Sequence, residues 1–346
     1  MNYSKYILLL FILLVSCKIN NKQKEVMLNT KVVSNDFTIA FGSCNNQVLP
    51  NVMWSEILKN KPDVWVWGGD VIYTDTKDML LMAQNYQKQK IKPEYANFTK
   101  NVAVLGTWDD HDYGVNDGGM EYSKKVESQN LFLDFINLDK NDERRQQEGV
   151  YFAKDYTIND NTVKIILLDT RYFRTALTKD TLTQKRYTPN VYGEGSMLGE
   201  VQWEWLTNQL QNSKASFNVM VSSIQFLSSE HGFESWGNMP HEVDKLINLI
   251  KTTNAKNTII LSGDRHISEF SKKEVDSLAY PIIDFTSSGL THSYANFKGE
   301  PNQYRIEDVV FEKSFGILKF DFDKLTVTMQ MRGKDNVLQQ ELIQSY

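Results

Sequence analysis

The sequence contains little that would cross-link it or divide it. Its 346 residues include 2 cysteines and 7 prolines. We find no internal repeat, no low-complexity tract and no linker rich in Pro, Gly and Ser. Beyond the N-terminal segment, no run of residues is long and apolar enough to span a bilayer. These absences exclude a repeat array and a multi-span membrane protein, and they favour one large folded domain.

The sequence also lacks an excess of positive charge. It carries 38 Lys and Arg against 43 Asp and Glu, a net charge of -5, and the two signs are interspersed. A protein that binds nucleic acid over a broad surface usually has a basic face or stripe. We therefore expect no nucleic-acid partner, and nothing in the sequence indicates a specific protein partner.

The N-terminal segment has the features of an export signal. Lys5 precedes an apolar run over residues 6–15, which is shorter than the roughly 20 residues of a spanning helix. The run ends in Leu14-Val15-Ser16-Cys17, which resembles the bacterial lipoprotein box, whose cysteine is acylated. We expect an exported lipoprotein, anchored to a membrane on its periplasmic or cell-surface side; an uncleaved anchor is the alternative. The predicted parts are a signal peptide at 1–17, a flexible tether at 18–35 and a folded domain at 36–346.

If Cys17 is acylated, the second cysteine has no disulfide partner. Cys44 would then be a free thiol in an oxidising compartment, which is unusual.

Apolar runs alternate with helical patterns through much of the chain, and the remainder is almost all β. This order indicates two sheets covered by helices, an α/β fold with a β-rich C-terminal part. The predicted strands are 37–41, 64–67, 102–105, 150–157, 163–168, 219–224, 258–261, 282–286, 309–311, 315–322 and 325–331. The predicted helices lie near 53–58, 126–136, 201–210 and 243–250, and the third should bury Val201, Trp205, Leu206 and Leu210.

Side chains of the metal-ligand type follow four predicted strands. They occur at Cys44, at 69–73, at 109–111 and at 263–266. Open α/β sheets place their sites beyond the carboxyl ends of strands. Each cluster alone has a plain structural interpretation, such as a turn, a small buried cysteine or a structural histidine. Together they predict a pair of metal ions, which can clamp a phosphoryl group and activate water.

The motifs resemble those of known phosphoesterases. Gly69-Asp70-x-x-Tyr73 is similar to the second motif of purple acid phosphatases. Asp110-His111-Asp112 stands where calcineurin-like metallophosphoesterases have Asn-His-Asp/Glu, and Gly263-Asp264-x-His266 stands where they have Gly-His-x-His. The usual opening Asp-x-His is absent, and Phe41-Gly42-Ser43-Cys44 replaces it.

This combination resembles the alkaline phosphatase D (PhoD-like) family of that superfamily. Leu168-Asp169-Thr170-Arg171, Ser222-Ser223-Ile224-Gln225 and the 198–206 segment carry the same resemblance, which covers about Phe37 to Thr291. It implies a four-layer αββα metallophosphoesterase sandwich of two mixed sheets flanked by helices.

The resemblance implies two different metals, Fe(III) with Ca(II), although zinc or manganese is the alternative. Thiolate, phenolate and imidazole suit iron, whereas a set of oxygen ligands suits a hard divalent ion. Asp70 would bridge the two ions, and Asp109 would orient a ligand. The implied iron ligands are Cys44, Asp70, Tyr73 and His266. The implied calcium ligands are Asp70, Asp110 and Asp264.

The resemblance also suggests residues for catalysis and substrate binding. His111 matches the superfamily histidine that helps to protonate the leaving group; the alternative is a partner of an aspartate. Arg171 and Arg265 are candidate phosphate clamps, because a guanidinium matches phosphate oxygens bidentately. Further candidate contacts are Asn116, Gln225 and His292, and His231 and His241 flank a loop expected at the mouth of the site.

The leading hypothesis is a metal-dependent hydrolase of phosphate monoesters, diesters or both. One alternative is a phospholipase or polymer-directed phosphodiesterase at the membrane surface, which a lipid anchor would suit. Another is a non-catalytic lipoprotein that keeps the fold. The complete set of ligand-type residues argues against a scaffold, because adjacent buried polar groups are costly.

Overall fold

The computed structural model describes residues 36–253 and 255–346. The predicted signal peptide, Cys17 and the predicted tether lie outside these residues. Among the helices described, none combines the length and the apolar character needed to cross a membrane.

Strands account for more of the described chain than helices do, and the helices lie between them in the first three quarters. The strands are β1 (Asp36–Gly42), β2 (Val64–Gly68), β3 (Ala103–Thr107), β4 (Phe152–Ile158), β5 (Asn161–Leu167), β6 (Thr178–Lys179), β7 (Tyr187–Thr188), β8 (Phe217–Val221), β9 (Thr258–Ser262), β10 (Ser268–Lys273), β11 (Ile282–Ser287), β12 (Arg305–Val310), β13 (Phe315–Asp321), β14 (Thr326–Arg332) and β15 (Leu338–Ser345). The helices are α1 (Met53–Leu58), α2 (Met79–Lys90), α3 (Pro93–Phe98), α4 (Asp110–Tyr113), α5 (Lys125–Phe135), α6 (Gly199–Gln211) and α7 (Pro240–Thr252), with 3-10 turns at Glu143–Arg145, Trp236–Asn238 and Lys334–Asn336.

Two large mixed sheets form the centre of the domain. The first has the order β15-β14-β13-β1-β2-β3, in which β1, β2 and β3 are parallel and the remaining pairs are antiparallel. The second has the order β12-β10-β11-β9-β8-β5-β4, with β5, β8, β9 and β11 parallel. β6 and β7 pair separately as a short antiparallel hairpin.

The two sheets pack face to face through alternating apolar side chains. Ile39 and Phe41 of β1 are buried in one cluster with Val219 of β8 and Phe285 of β11. The rings of Phe41 and Phe285 meet edge to face at 4.8 Å between centroids. Because successive strand residues point to opposite faces, Ala40 belongs to a different cluster, on the outer face of the first sheet.

Helices cover both outer faces. Trp65 and Trp67 of β2 pack against Trp54 of α1 on the first sheet, with centroids 5.3 and 5.5 Å from the Trp54 ring. On the second sheet, Leu206 of α6 and Leu246 of α7 bury their side chains in a third cluster. The layers therefore run helices, sheet, sheet, helices, which confirms the predicted four-layer αββα sandwich.

Some predicted details were wrong or incomplete. Val201 was predicted on the buried face of its helix, but it is 59% exposed. Trp203 of α6 faces the hydrophobic core instead. Residues 203, 206 and 210 share one face of the helix, because an α-helix has 3.6 residues per turn. The helices α2, α3 and α4 and the strands β6, β7, β10 and β15 were not predicted.

Candidate metal centre

The carboxyl ends of strands from both sheets meet at one edge of the sandwich. Ser43, just after β1, forms a parallel bridge with Ser288, just after β11. Gly263, just after β9, lies so close that a Cβ there would clash with Ser43 Oγ and lie 2.8 Å from the Gly68 carbonyl oxygen. The chain can approach so closely only with glycine at this position. Loops from both sheets are thereby brought together.

Four of the predicted ligands have a left-handed backbone conformation, which residues other than glycine rarely adopt. The φ angles are 59° at Cys44, 51° at Asp70, 69° at Asp264 and 56° at His266. Left-handed non-glycine residues cost roughly 1–3 kcal/mol each and cluster at functional sites. In each case the strand has just ended, and the turn directs the side chain toward the shared edge.

The first group of predicted ligands lies together. Cys44 Sγ is 3.3 Å from Asp70 Oδ2, and Tyr73 donates its hydroxyl hydrogen to the same oxygen at 3.1 Å. The Tyr73 hydroxyl is also 3.0 Å from His266 Nε2. Thiol, carboxylate, phenol and imidazole therefore converge on one point.

Ser288 supports this first group. Its Oγ is 2.9 Å from Cys44 Sγ and accepts a hydrogen bond from the His266 backbone N–H at 2.8 Å. One hydroxyl therefore contacts residues from two different strands. Ser288 was not predicted as a site residue, although it precedes the predicted His292 by only four residues.

The second group contains only carboxylates. Asp109, Asp110 and Asp264 each offer an oxygen within 4.8 Å of the others. Asp109 Oδ2 and Asp110 Oδ1 are buried and have no hydrogen-bond partner. The other oxygen of Asp110 accepts from Asn116 Nδ2 at 3.0 Å and from the Asp117 N–H at 2.8 Å. Two buried oxygens of this group therefore have no hydrogen-bond donor.

Asp70 lies between the two groups. A carboxylate oxygen of Asp70 lies within 4.8 Å of ligand atoms of Cys44 and His266. A carboxylate oxygen of Asp70 also lies within 4.8 Å of ligand atoms of Asp110 and His111. Burial raises the pKa of Asp70 well above its ordinary value, and the charges of Cys44 and Asp110 add to the shift. A shared carboxylate of this kind suits a bridging ligand.

The protein itself provides too little positive charge for these acids. Burial raises the pKa of Asp264, and Asp109 raises it further. Burial also raises the pKa of the Cys44 thiol to about 11, opposed by the Ser288 hydrogen bond. A cation would relieve both penalties, because it favours the deprotonated ligand. The orphan oxygens, the shifted acids and the mixed donor types therefore fit bound metal.

His111 lies above the centre at its solvent side. Its ring stacks on Tyr73 at 4.1 Å between centroids, and its Nδ1 is 2.6 Å from Asp75 Oδ2. Burial lowers the pKa of His111, but the Asp75 hydrogen bond and the charges of Asp70 and Asp110 raise it to about 10. The Asp75 hydrogen bond therefore favours the protonated form of the imidazole. Asp75, which follows Asp70 in the same loop, was not predicted as a site residue.

Arg171 does not have the geometry of a phosphate clamp. Its side chain is 0% exposed. Its guanidinium donates to Asp109 Oδ1, to Glu234 Oε2 at 2.6 Å and to the Gly118 carbonyl oxygen at 3.4 Å. The structure gives the phosphate-clamp role no support, because each of the three guanidinium nitrogens has a partner inside the protein. Arg171 binds Oδ1 of Asp109 and leaves Oδ2 without a hydrogen-bond partner.

Gln225, predicted as a substrate contact, also has its partners inside the protein. It is 1% exposed, and its Nε2 donates to Glu269 Oε1 at 2.7 Å and to Thr286 Oγ1 at 3.0 Å. These partners lie on β10 and β11, inside the second sheet. The side chain turns into the sheet because buried acceptors there need its donor.

The remaining candidates lie around the centre or away from it. Asn116 is exposed and bonds to Asp110, as described above. The His292 ring contacts His266 edge to face at 4.5 Å between centroids. Arg265 donates to Glu300 Oε1 at 2.6 Å, and its side chain is 11% exposed. His231 is buried, whereas His241 lies near the Gly195 carbonyl oxygen, 3.2 Å from its Nε2.

The fold and the donors together define a class: a four-layer phosphatase-type sandwich with metal-ligand side chains at the joined strand ends. The chain belongs to the PhoD-like phosphatase family, which it matches over residues 39–320. The family resemblance predicted from the motifs is thereby confirmed.

Similar proteins agree with this membership. Alkaline phosphatase D of Bacillus subtilis (strain 168) is 30% identical over 124 residues, which are 34% of this chain and 21% of that protein. A solved structure of PhoD aligns with 90% of this chain and 68% of its own at 18% identity, with a TM-score of 0.69. A dimetal phosphatase from Danio rerio aligns over 90% of this chain and 99% of its own at 12% identity, with a TM-score of 0.50. The two structures share the fold.

Proposed function

We propose that the protein hydrolyses phosphate esters at a dinuclear metal centre. The observation that carries the proposal is the position of Asp70, whose carboxyl lies within ligand distance of two separate groups of ligand-type side chains. A pair of bound metal ions would polarise the phosphoryl group and lower the pKa of a bound water. Membership of a phosphatase family supports the same chemistry.

We assign the ligands by donor type. Cys44, Tyr73 and His266 would hold Fe(III), since their sulfur, phenol and imidazole donors suit iron. Asp110 and Asp264 would hold Ca(II) through oxygen. Asp70 would contribute to both. Asp109 is added as a further oxygen donor, because its Oδ2 is buried without a partner.

His111 is the proposed proton donor. Its imidazole lies 4.0 Å from Asp110 Oδ1 at Nε2, and Asp75 fixes the other nitrogen. The side chain is 20% exposed, so it borders the space above the centre that a substrate would enter. A held proton at this position can pass to a departing alkoxide oxygen, which turns a poor leaving group into an alcohol.

The first experiment assays purified protein on p-nitrophenyl phosphate and on bis(p-nitrophenyl) phosphate. We expect hydrolysis of at least one of them, and we expect Asp70→Asn and Asp264→Asn to lose most of the activity together with bound metal. Asp160→Asn, in the surface turn between β4 and β5, is the matched control. A metal-loaded wild type that cleaves neither ester would refute the proposal and favour a non-catalytic role.

A second experiment identifies the metals. Ferric iron bound by thiolate or phenolate absorbs visible light, whereas zinc, with its filled d shell, does not. We expect coloured protein whose band shifts or disappears in Tyr73→Phe or Cys44→Ser. A calcium chelator should lower activity and leave the colour. Fully active, colourless protein without iron would contradict the iron assignment and leave the phosphoesterase proposal standing.

We also propose that the protein is an exported lipoprotein, which rests on the apolar run before Cys17. Cys17→Ala should move the protein from the membrane fraction to the soluble fraction of cells. An unchanged distribution would mean that Cys17 is not the anchor.

A further inference from the structure

A basic cavity lies beside the candidate metal centre, and the proposed function gives it no role. Its volume is about 390 Å³. Residues 183–186 come from the loop between β6 and β7, and the others precede the 3-10 turn at Trp236. The lining residues are Thr183, Gln184, Lys185, Arg186, His231 and Phe233.

The cavity is connected to the carboxylate group of the centre on two sides. Arg186 Nη2 is 2.8 Å from Asp117 Oδ2, and the Asp117 N–H bonds to Asp110. On the opposite side, the Arg265 guanidinium lies 4.0 Å from the centre of the Phe233 ring. Arg265 directly follows Asp264 in the chain. Asp117 therefore links the cavity to the proposed ligand Asp110, and Arg265 links it to the proposed ligand Asp264.

The lining offers positive charge to an incoming anion. Lys185 Nζ donates to the Glu230 backbone carbonyl at 2.8 Å, and no ion pair within 36–253 and 255–346 involves it. Asp117 and Glu300 balance Arg186 and Arg265, yet the Arg186 side chain is 48% exposed. Lys185 therefore contributes a cation that no carboxylate of the described chain neutralises by direct pairing.

His231 does not add to this charge. Burial and the charges of Arg265 and Lys185 together lower its pKa to about 3. The imidazole is therefore neutral, and its Nε2 is buried without a partner. The ring therefore adds no charge to the cavity.

We propose that this cavity binds a second phosphate group of the substrate while the scissile phosphate lies at the metal centre. The inference rests on the proposed function and names its substrate class: small molecules that carry two phosphate groups. A guanidinium and an ammonium are the two side chains that recognise phosphate best. A cavity of about this volume is large enough for a phosphate with its attached carbon chain.

The test compares two substrates that differ only in the second phosphate, propane-1,3-diol monophosphate and bisphosphate. In the wild type, we expect a higher kcat/KM for the bisphosphate. Lys185→Gln and Arg186→Gln should each lower the bisphosphate-to-monophosphate ratio of kcat/KM by about tenfold, which is the loss of one charged hydrogen bond. Lys88→Gln, an exposed lysine on α2, is the matched control and should leave the ratio unchanged.

A binding measurement separates this proposal from the proposed function. Calorimetric titration compares propane-1,3-bisphosphonate with propylphosphonate, neither of which can be hydrolysed at a P–O–C bond. Tighter binding of the bisphosphonate, lost in Lys185→Gln, supports the cavity even if both esters resist hydrolysis. Equal affinities, or a ratio that both variants leave unaltered, would overturn it. Because Lys185 lies in a surface loop outside the core clusters, its variant remains informative if Arg186→Gln misfolds.

Discussion

Replacing Arg171 with methionine should destabilise the fold far more than the loss of one surface cation would. The methionine keeps the length of the buried stem but removes the charge. Asp109 and Glu234 would then lie in the interior without the guanidinium that both of them contact. Arg174 Nε, 2.9 Å from Glu234 Oε1, would remain as a partner for only one of the two acids.

The size of the effect follows from burial. Removing one partner of a buried ion pair costs about 3–5 kcal/mol, because the remaining charge has neither water nor a counterion. Unfolding entropy of about 2 cal/mol/K per residue over this domain converts that loss to a fall in Tm of roughly 5–8 °C. An exposed pair costs less than about 1 kcal/mol. Arg144→Met is the matched control, since the Arg144 side chain is 22% exposed and pairs with Asp142.

Thermal unfolding of the two variants by calorimetry, in parallel with kcat/KM, tests this reasoning. We expect a large fall in Tm for Arg171→Met and almost none for Arg144→Met. An unchanged Tm combined with a large loss of kcat/KM would refute the structural role and return Arg171 to the phosphate clamp predicted from the sequence.

Three other predictions concern the backbone, the pH dependence and the proton donor. Gly69→Ala should lower the free energy of unfolding in urea by at least about 2 kcal/mol, because φ at Gly69 is +98° and the new Cβ would lie 2.5 Å from Asp109 Cβ. Gly193→Ala, at φ +91° with nothing within 4 Å, is the milder control. Burial raises the pKa of Asp284 to about 6, opposed by its hydrogen bonds. The folded state therefore keeps a proton that the unfolded state loses near pH 4, and stability should fall by roughly 3 kcal/mol as the pH rises from about 4 to about 6; urea titrations across that range should show a flatter profile for Asp284→Asn. His111→Ala should lower kcat by about 10²- to 10⁴-fold with metal content retained, and equal metal loss in that variant would make His111 a ligand.

The sequence was informative where the local pattern and the burial agree. β2 was predictable because Val64 to Trp67 are all apolar and the strand is buried on both faces. The first ligand group was predictable because each member directly follows such a strand or lies in its loop. α2 was missed because its apolar residues do not form one stripe, and Leu80 is 76% exposed.

The structure places two predicted contacts, Arg171 and Gln225, inside the protein, and one cause explains both. Nothing in the sequence shows which partner a polar side chain will meet across the fold. Glu234 is 63 residues from Arg171, and Glu269 is 44 residues from Gln225. Both arginine and glutamine suit phosphate recognition, and both instead satisfy acids buried by long-range packing. Such contacts depend on the register of distant elements, which local periodicity cannot determine.

The bridge between Ser43 and Ser288 has a consequence for the order of folding. Cys44 follows the first sheet, whereas His266 and Ser288 follow strands of the second, more than 200 residues later in the chain. The complete ligand set therefore exists only after both sheets have formed and docked. Metal binding would therefore be a late step in folding. The bound ion would then cross-link the two sheets at this edge. Removal of the ion should first weaken the contact between the loops of the two sheets at this edge.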